Sequence, residues 1–239
     1  MGIEYGVTMT PTTHPADGIA LVHTALGDFF LAEESALHQE VRETGCHARA
    51  GLAMLASRLE PGDTVLDLGA AAGLLAIPLQ RVVGPTGGIW CFEPDADAAE
   101  LLGWNLAANG ADLLVHTVAG DTWPRLDDWC DAAGLDRVDA LRAHGPGAAA
   151  ALARGALGTL TRHLPLVLLT GEDAAAPKPA GGRPLRDALQ QLGYSFLSAT
   201  ETPEEGDDAV PAPAGGGAAG PGTSVLAVPP GGTAEDADG

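Results

Sequence analysis

The chain has 239 residues, 46% hydrophobic and 4% aromatic, enough for one sizeable α/β domain with its own core. It carries 32 acidic against 12 basic residues, a formal net charge of -20. A nucleic-acid surface needs clustered Lys and Arg, and the sequence has no such cluster, so nucleic acid and an anionic membrane are both disfavoured as partners.

Residues 1–17 are rich in Thr and Pro and predict extended chain. Gly18–Leu31 places two apolar pieces around Leu26-Gly27-Asp28 and predicts a hairpin. Ser35–Glu43 and Ala48–Leu59 predict helices separated by Gly45, the second with Leu52, Leu55 and Leu59 on one face. Strands and helices then alternate. Thr64–Leu68, Gly88–Phe92, Asp112–Val118, Val138–Ala143 and Pro165–Leu169 predict five strands. Gly73–Val83, Ala96–Ala108, Leu126–Ala133 and Ala148–His163 predict the helices between them, with Asn109-Gly110 closing the second. After a loop at Ala174–Pro184 come a helix, Leu185–Leu192, and two strands, Tyr194–Thr200 and Ser224–Val228. No helix separates these two strands, so they should pair antiparallel.

The β-α alternation predicts an α/β fold, a mostly parallel sheet with helices on both faces. Residues 1–60 read as a hairpin and helical region capping a substrate, and 61–230 as the main domain. Within the latter, 203–222 reads as a flexible loop of low complexity; 231–239 reads as a disordered tail. Cys46, Cys91 and Cys130 are far apart and form no CxxC or Cys/His cluster, so they read as reduced thiols and not as metal ligands. With no secretory signal and no apolar run long enough to cross a bilayer, the expected location is the cytoplasm. Lys178 is the only lysine among abundant Ala, Gly, Pro and Arg, a composition that points to a GC-rich bacterial genome.

The chemistry concentrates at strand ends. DLGAAAG (Asp67–Gly73) lies where the first strand of the alternating region meets its helix, the place where open α/β sheets bind ligands. A dinucleotide fingerprint needs GxGxxG, and counting from Gly69 its second glycine is Ala71, whose methyl group would crowd a pyrophosphate. S-adenosyl-L-methionine (SAM) has no phosphate, and an acid two residues before the glycine suits it. CFEPD (Cys91–Asp95) adds Glu93 at the end of the next strand, 20 residues after Gly73. A carboxylate there can accept both ribose hydroxyls, so the pair of motifs predicts adenosine binding. A tight strand–helix turn and a negative charge before a helix are the plainer readings of the same residues.

TVLDLGAAAG, GPTGGIWCFEPDADAAELLGWNLAANG and DALRAHGPGAAAALARGAL together resemble the FkbM-type SAM-dependent methyltransferases, from about Leu59 to Leu169. GPTGG, FEPD and NLAANG are the specific part. The resemblance implies a Rossmann-like class I methyltransferase fold, a seven-stranded, mostly parallel sheet with an antiparallel last strand. It also implies SAM as cofactor and O-methylation of a small-molecule or glycan acceptor. Asp67, Gly69, Ala70, Gly73 and Glu93 match the family's cofactor positions, and Val118, Ala119 and Asp121 fall near the adenine.

The fourth strand departs from the family. Where that family has a pattern like IKIDVEGAE, this chain has LRAHGPGAA (Leu141–Ala149). His144 stands at the Asp position, Pro146 and Ala149 at two Glu positions, and Thr170 where the fifth strand tends to end in Glu. His144 is the candidate catalytic base, since an ordinary imidazole titrates near neutral pH. Loss of acid from this corner points to an acidic acceptor, such as a carboxylate or acidic phenol. The alternative is a SAM-binding homologue that does not methylate, a cyclase or a degenerate partner protein. His47 reads as a surface residue or part of the substrate mouth, His38 as a solvated helix face, and Trp104 and Trp123 as core residues or neighbours of the adenine.

Overall fold

A computed structural model describes residues 17–111, 115–118, 122–171, 185–200 and 223–231. The expectations for residues 1–16, 112–114, Ala119, Asp121, the loop at 174–184, the loop at 203–222 and the tail from 232 lie outside these residues. The elements run β1 (Ile19–Thr24), β2 (Gly27–Ala32), α1 (Ala36–Thr44), α2 (Arg49–Ala56), β3 (Thr64–Leu68), α3 (Ala76–Val83), β4 (Gly88–Phe92), α4 (Ala96–Asn109) and β5 (Val115–Val118). They continue with α5 (Leu126–Ala133), β6 (Ala140–His144), α6 (Ala148–Gly155), α7 (Leu157–His163), β7 (Leu166–Thr170), α8 (Leu185–Gln191), β8 (Ser195–Thr200) and β9 (Thr223–Val228).

The first two strands form the expected hairpin, and the others pair in the orders β5-β4-β3 and β6-β7-β9-β8. The last strand, β9, runs antiparallel to both of its neighbours, β7 and β8, and its pairing with β8 is the one expected from the sequence. The fold is thus the Rossmann-like α/β class expected from the alternation. Two compact units make up the chain, Met1–His47 with Glu60–Trp123, and Ala48–Leu59 with Pro124–Gly239.

In the first unit, β3 and β4 are parallel, with Thr64 opposite Gly88 and Leu68 opposite Phe92. Val65, Leu66, Asp67 and Leu68 have no solvent exposure, as parallel strands covered on both faces require. The helix after β3 begins at Ala76 rather than Gly73, because Gly73 adopts φ +79° and turns the chain. Pro78 then falls in the first helical turn, where a missing N–H costs nothing. Asp95 caps α4 by accepting from the Ala98 N–H at 2.9 Å, and Gly110 closes it in a left-handed conformation. His38, expected on a solvated face, is buried, because α1 turns that side toward the hairpin it packs on.

In the second unit, β6 and β7 are parallel, with His144 opposite Thr170, and Thr170 is in turn opposite Ser224 of β9. Helix α2 approaches this row closely, since a Cβ on Gly51 would meet Ser224 Oγ at 2.6 Å and Thr170 Cγ2 at 3.3 Å. The helix expected over Ala148–His163 is two helices broken at Ala156. The cause lies in another element. Asp127, on α5, accepts from the Gly158 N–H at 2.9 Å, the Thr159 N–H at 2.7 Å and the Thr159 hydroxyl at 2.8 Å. A carboxylate at a helix start satisfies otherwise orphaned amides and opposes the helix dipole, so the chain restarts there.

Asp127→Ala removes that cap and leaves two amides of α7 without their acceptor. Urea unfolding should show a loss of about 1–2 kcal/mol, and a change near zero would mean that the break at Ala156 does not depend on the carboxylate.

Candidate functional site

The first unit contains one constellation of strand-end residues, built where β3 and β4 terminate. Asp67 is fully buried within β3. The chain then turns through Gly69 at φ +87° and Ala71 at φ +47°. The first is natural for glycine; the second is strained for a residue with a Cβ. The turn is held from three directions. The Gly69 N–H donates to the Phe92 carbonyl of β4 at 2.8 Å. The Ala71 N–H donates to Glu93 Oε2 at 2.8 Å. The Ala72 carbonyl accepts from Asn105 Nδ2 of α4 at 2.8 Å.

Glu93 is therefore fixed before any ligand arrives. Its second oxygen, Oε1, accepts from the Asp95 N–H at 3.0 Å. Each carboxylate oxygen has two acceptor sites, so each keeps one for a further donor. Burial pushes the Glu93 carboxyl above its ordinary value of 4.5. The hydrogen bonds from Asp95 and Ala71 pull it down, and the nearby charges of Asp95 and Asp67 push it up again.

Gly73 plays a different part. Its φ of +79° favours glycine whatever the space, and a Cβ there would in addition lie 2.7 Å from Leu102 Cδ1 of α4. Gly69, Ala70, Gly73 and Glu93 are brought together, with Asp67 just before them. Val118 ends β5, parallel to β4, with Phe92 opposite Val118.

In the second unit, His144 ends β6, half-buried. Its Nδ1 lies 2.9 Å from Thr170 Oγ1. Thr170 itself is 1% exposed. The imidazole packs over Gly171, where a Cβ would meet His144 Cε1 at 3.3 Å. Arg142, two residues earlier, is 2% exposed and shares the His144 face by strand alternation. The sequence reading missed it, although an Arg inside an apolar strand is itself a signal. It also missed the work of Asn105 and Asn109, whose spacing of four on a helix marks a shared face. His47 pairs through Nδ1 with Glu40 Oε2 at 2.8 Å, and Trp104 packs edge-on against Phe30 at 6.3 Å. Among the described residues no group of three or more His, Cys, Asp or Glu could hold a metal ion, and no helix is long and apolar enough to cross a membrane.

The fold recurs in solved methyltransferases. The chain is similar to a putative O-methyltransferase from Klebsiella pneumoniae, with 18% identity, a TM-score of 0.51 and 83% of each chain covered. It is similar to the SAM-bound O-methyltransferase TomG from Streptomyces achromogenes, involved in tomaymycin synthesis, with 20% identity and a TM-score of 0.54, covering 83% of this chain and 91% of that one. A third is TYW2 of M. jannaschii in complex with AdoMet, with 14% identity and a TM-score of 0.50, covering 91% of this chain and 88% of that one. No family model matches the sequence, and no curated protein does. The architecture is that of class I methyltransferases.

Glu93 gives a first test. Its raised carboxyl means that the folded chain holds the proton more firmly than the unfolded chain. The stability it contributes is full below 4.5 and is lost as pH rises through the folded-state value. Glu93→Gln undergoes no such loss, so the unfolding free energy of E93Q minus that of wild type should increase between about pH 4 and about pH 7. A decrease in urea titrations would show that the two backbone hydrogen bonds outweigh burial.

Proposed function

We propose that the chain is a SAM-dependent methyltransferase related to the FkbM type, acting on an oxygen of a small-molecule or glycan acceptor. The observation that carries this reading is the closed turn after β3, with Glu93 at the end of β4 held against Ala71. The amides of Gly69, Ala71 and Gly73 all donate within the turn or to β4 and Glu93, so they are spent rather than offered to a phosphate. Asp67, Glu93 and Asp95 make the neighbourhood acidic, hostile to pyrophosphate and favourable to a cation. SAM fits: its sulfonium and ammonium outweigh its carboxylate, and its ribose diol matches the two remaining acceptor sites of Glu93. SAM-bound neighbours of the same fold support the choice.

In this reading Asp67, Gly69, Ala70, Gly73 and Glu93 hold the cofactor, and Val118, Ala119 and Asp121 flank its adenine. The bound cofactor supplies an electrophilic methyl group on a sulfonium, so the protein's main task is approximation of the acceptor. His144 is the base that takes the acceptor's proton. Its Nδ1 contact with the buried Thr170 hydroxyl, at 2.9 Å, keeps the ring from rotating. Residues 1–60 cap the acceptor. An acidic acceptor suits a strand end that carries His144 and Thr170 in place of carboxylates.

Calorimetry with SAM tests the cofactor assignment. Wild type should bind, Glu93→Ala should bind roughly 10- to 100-fold more weakly through the loss of two hydrogen bonds to a charged group, and wild-type affinity should fall as the pH is lowered from neutrality, beginning above 4.5 because the Glu93 carboxyl is raised. Absence of SAM binding by wild type overturns the reading. His144→Ala should keep SAM affinity and slow S-adenosylhomocysteine formation roughly 100-fold or more with a hydroxyl acceptor; an unchanged pH–rate profile removes His144 from the mechanism.

A further inference from the structure

We propose that Asn105 is a positioning residue that sets the backbone of the cofactor turn and the β1–β2 hairpin as one hydrogen-bonded unit. The proposal rests on the reading of that turn as a SAM site. Asn105 lies on α4 with no solvent exposure. Its Oδ1 accepts from the Phe30 N–H at 2.6 Å, and its Nδ2 donates to the Phe30 carbonyl at 3.1 Å. The same Nδ2 donates to the Ala72 carbonyl at 2.8 Å. One amide side chain thus ties a strand of the hairpin to the turn.

Ala72 follows directly on Ala71, whose strained φ of +47° aims its N–H at Glu93. A residue with a Cβ keeps such a conformation only where its surroundings over-determine it. Glu93 grips the peptide on one side of Ala71, and Asn105 grips the carbonyl of the next residue. Without the second grip the turn is free to relax, and the Glu93 hydrogen bond relaxes with it.

Asn109 supplies the internal control. It makes the same kind of clamp one helical turn on, accepting from the Asp28 N–H at 2.9 Å and donating to the Asp28 carbonyl at 2.7 Å. Its remaining bond, 2.7 Å, goes to the Asn105 carbonyl within the helix and not to the turn. The two asparagines stand about 6 Å apart along the helix, close to the roughly 7 Å between alternate residues of a strand. They therefore meet Asp28 and Phe30 much as a neighbouring strand would. Gly27 fits the same arrangement, since a Cβ there would lie 2.5 Å from Asn109 Oδ1. Each asparagine makes two bonds to the hairpin, and only Asn105 makes one to the turn.

The experiment compares Asn105→Ala with Asn109→Ala by carboxyl-13C NMR titration of Glu93 and by calorimetry with SAM. Asn105→Ala should move the Glu93 midpoint up by roughly one pH unit, as the lowering hydrogen bond from Ala71 is lost while its acidic neighbours Asp67 and Asp95 remain. It should weaken SAM binding about 10-fold or more. Asn109→Ala should leave the midpoint unchanged and the affinity within about twofold. Equal midpoints for the two variants overturn the proposal. If wild type binds no SAM, the cofactor reading falls while the midpoint comparison still decides the role of Asn105. If Asn105→Ala does not fold, native-state hydrogen exchange of wild type replaces it. One opening should then release both the Phe30 and the Ala71 amides, with protection equal within about threefold; clearly unequal protection overturns the link.

Discussion

The N–H of Ala71 points at a carboxylate, and much of the first unit is arranged so that it can. The bond joins the turn after β3 to the residue just past β4, so the ends of two parallel strands are fixed to each other by side-chain chemistry as well as by the sheet. It requires an alanine in left-handed backbone, a conformation that costs about 1–2 kcal/mol. A charge-assisted hydrogen bond of about 1.5–3 kcal/mol offsets that strain. The balance also depends on the carbonyl of Ala72 being kept in place from α4. Strain, burial and charge therefore meet in one short segment, the pattern expected where a surface is shaped in advance for a ligand.

That constraint also decides which ligands suit the turn. A glycine-rich turn opening onto a helix is usually a place for phosphate, because free amides and the helix dipole attract anions. Here the amides of Gly69, Ala71 and Gly73 are engaged and the added charges are negative. The absence of GxGxxG in the sequence and the inward hydrogen bonds of the structure thus point the same way, against a phosphate. Gly73 sharpens the point. It resembles a ligand-approach glycine in the sequence, yet its left-handed φ of +79°, close to Leu102 of α4, already gives it a conformational reason.

Strands were the most legible elements. Thr64–Leu68 and Gly88–Phe92 run as read, because a parallel strand buried on both faces is a short apolar block between turn signals. Helix α4 was legible for a similar reason: Asp95 and Gly110 are local start and stop signals. What escaped depends on partners distant in sequence. The break at Ala156 comes from a carboxylate 31 residues before Gly158, and no helical periodicity records it. The start of α3 had a local cue, since Pro78 belongs in a first turn and not in the middle of the longer helix read from Gly73. Asn105 and Asn109 were visible as a motif, but their bonds reach back 75 and 81 residues to a hairpin whose position periodicity cannot give.

The two departures at the ends of the fourth and fifth strands of the alternating region are best understood as one. His144 and Thr170 are opposite each other in register and in hydrogen-bond contact. Against the pattern of the family the sequence resembles, they count as two separate departures. In the structure they are a matched pair. Thr170 is buried, so its hydroxyl holds the half-exposed ring from the next strand without adding charge. The two strand ends thus form one hydrogen-bonded unit, and a change at either position is felt at the other.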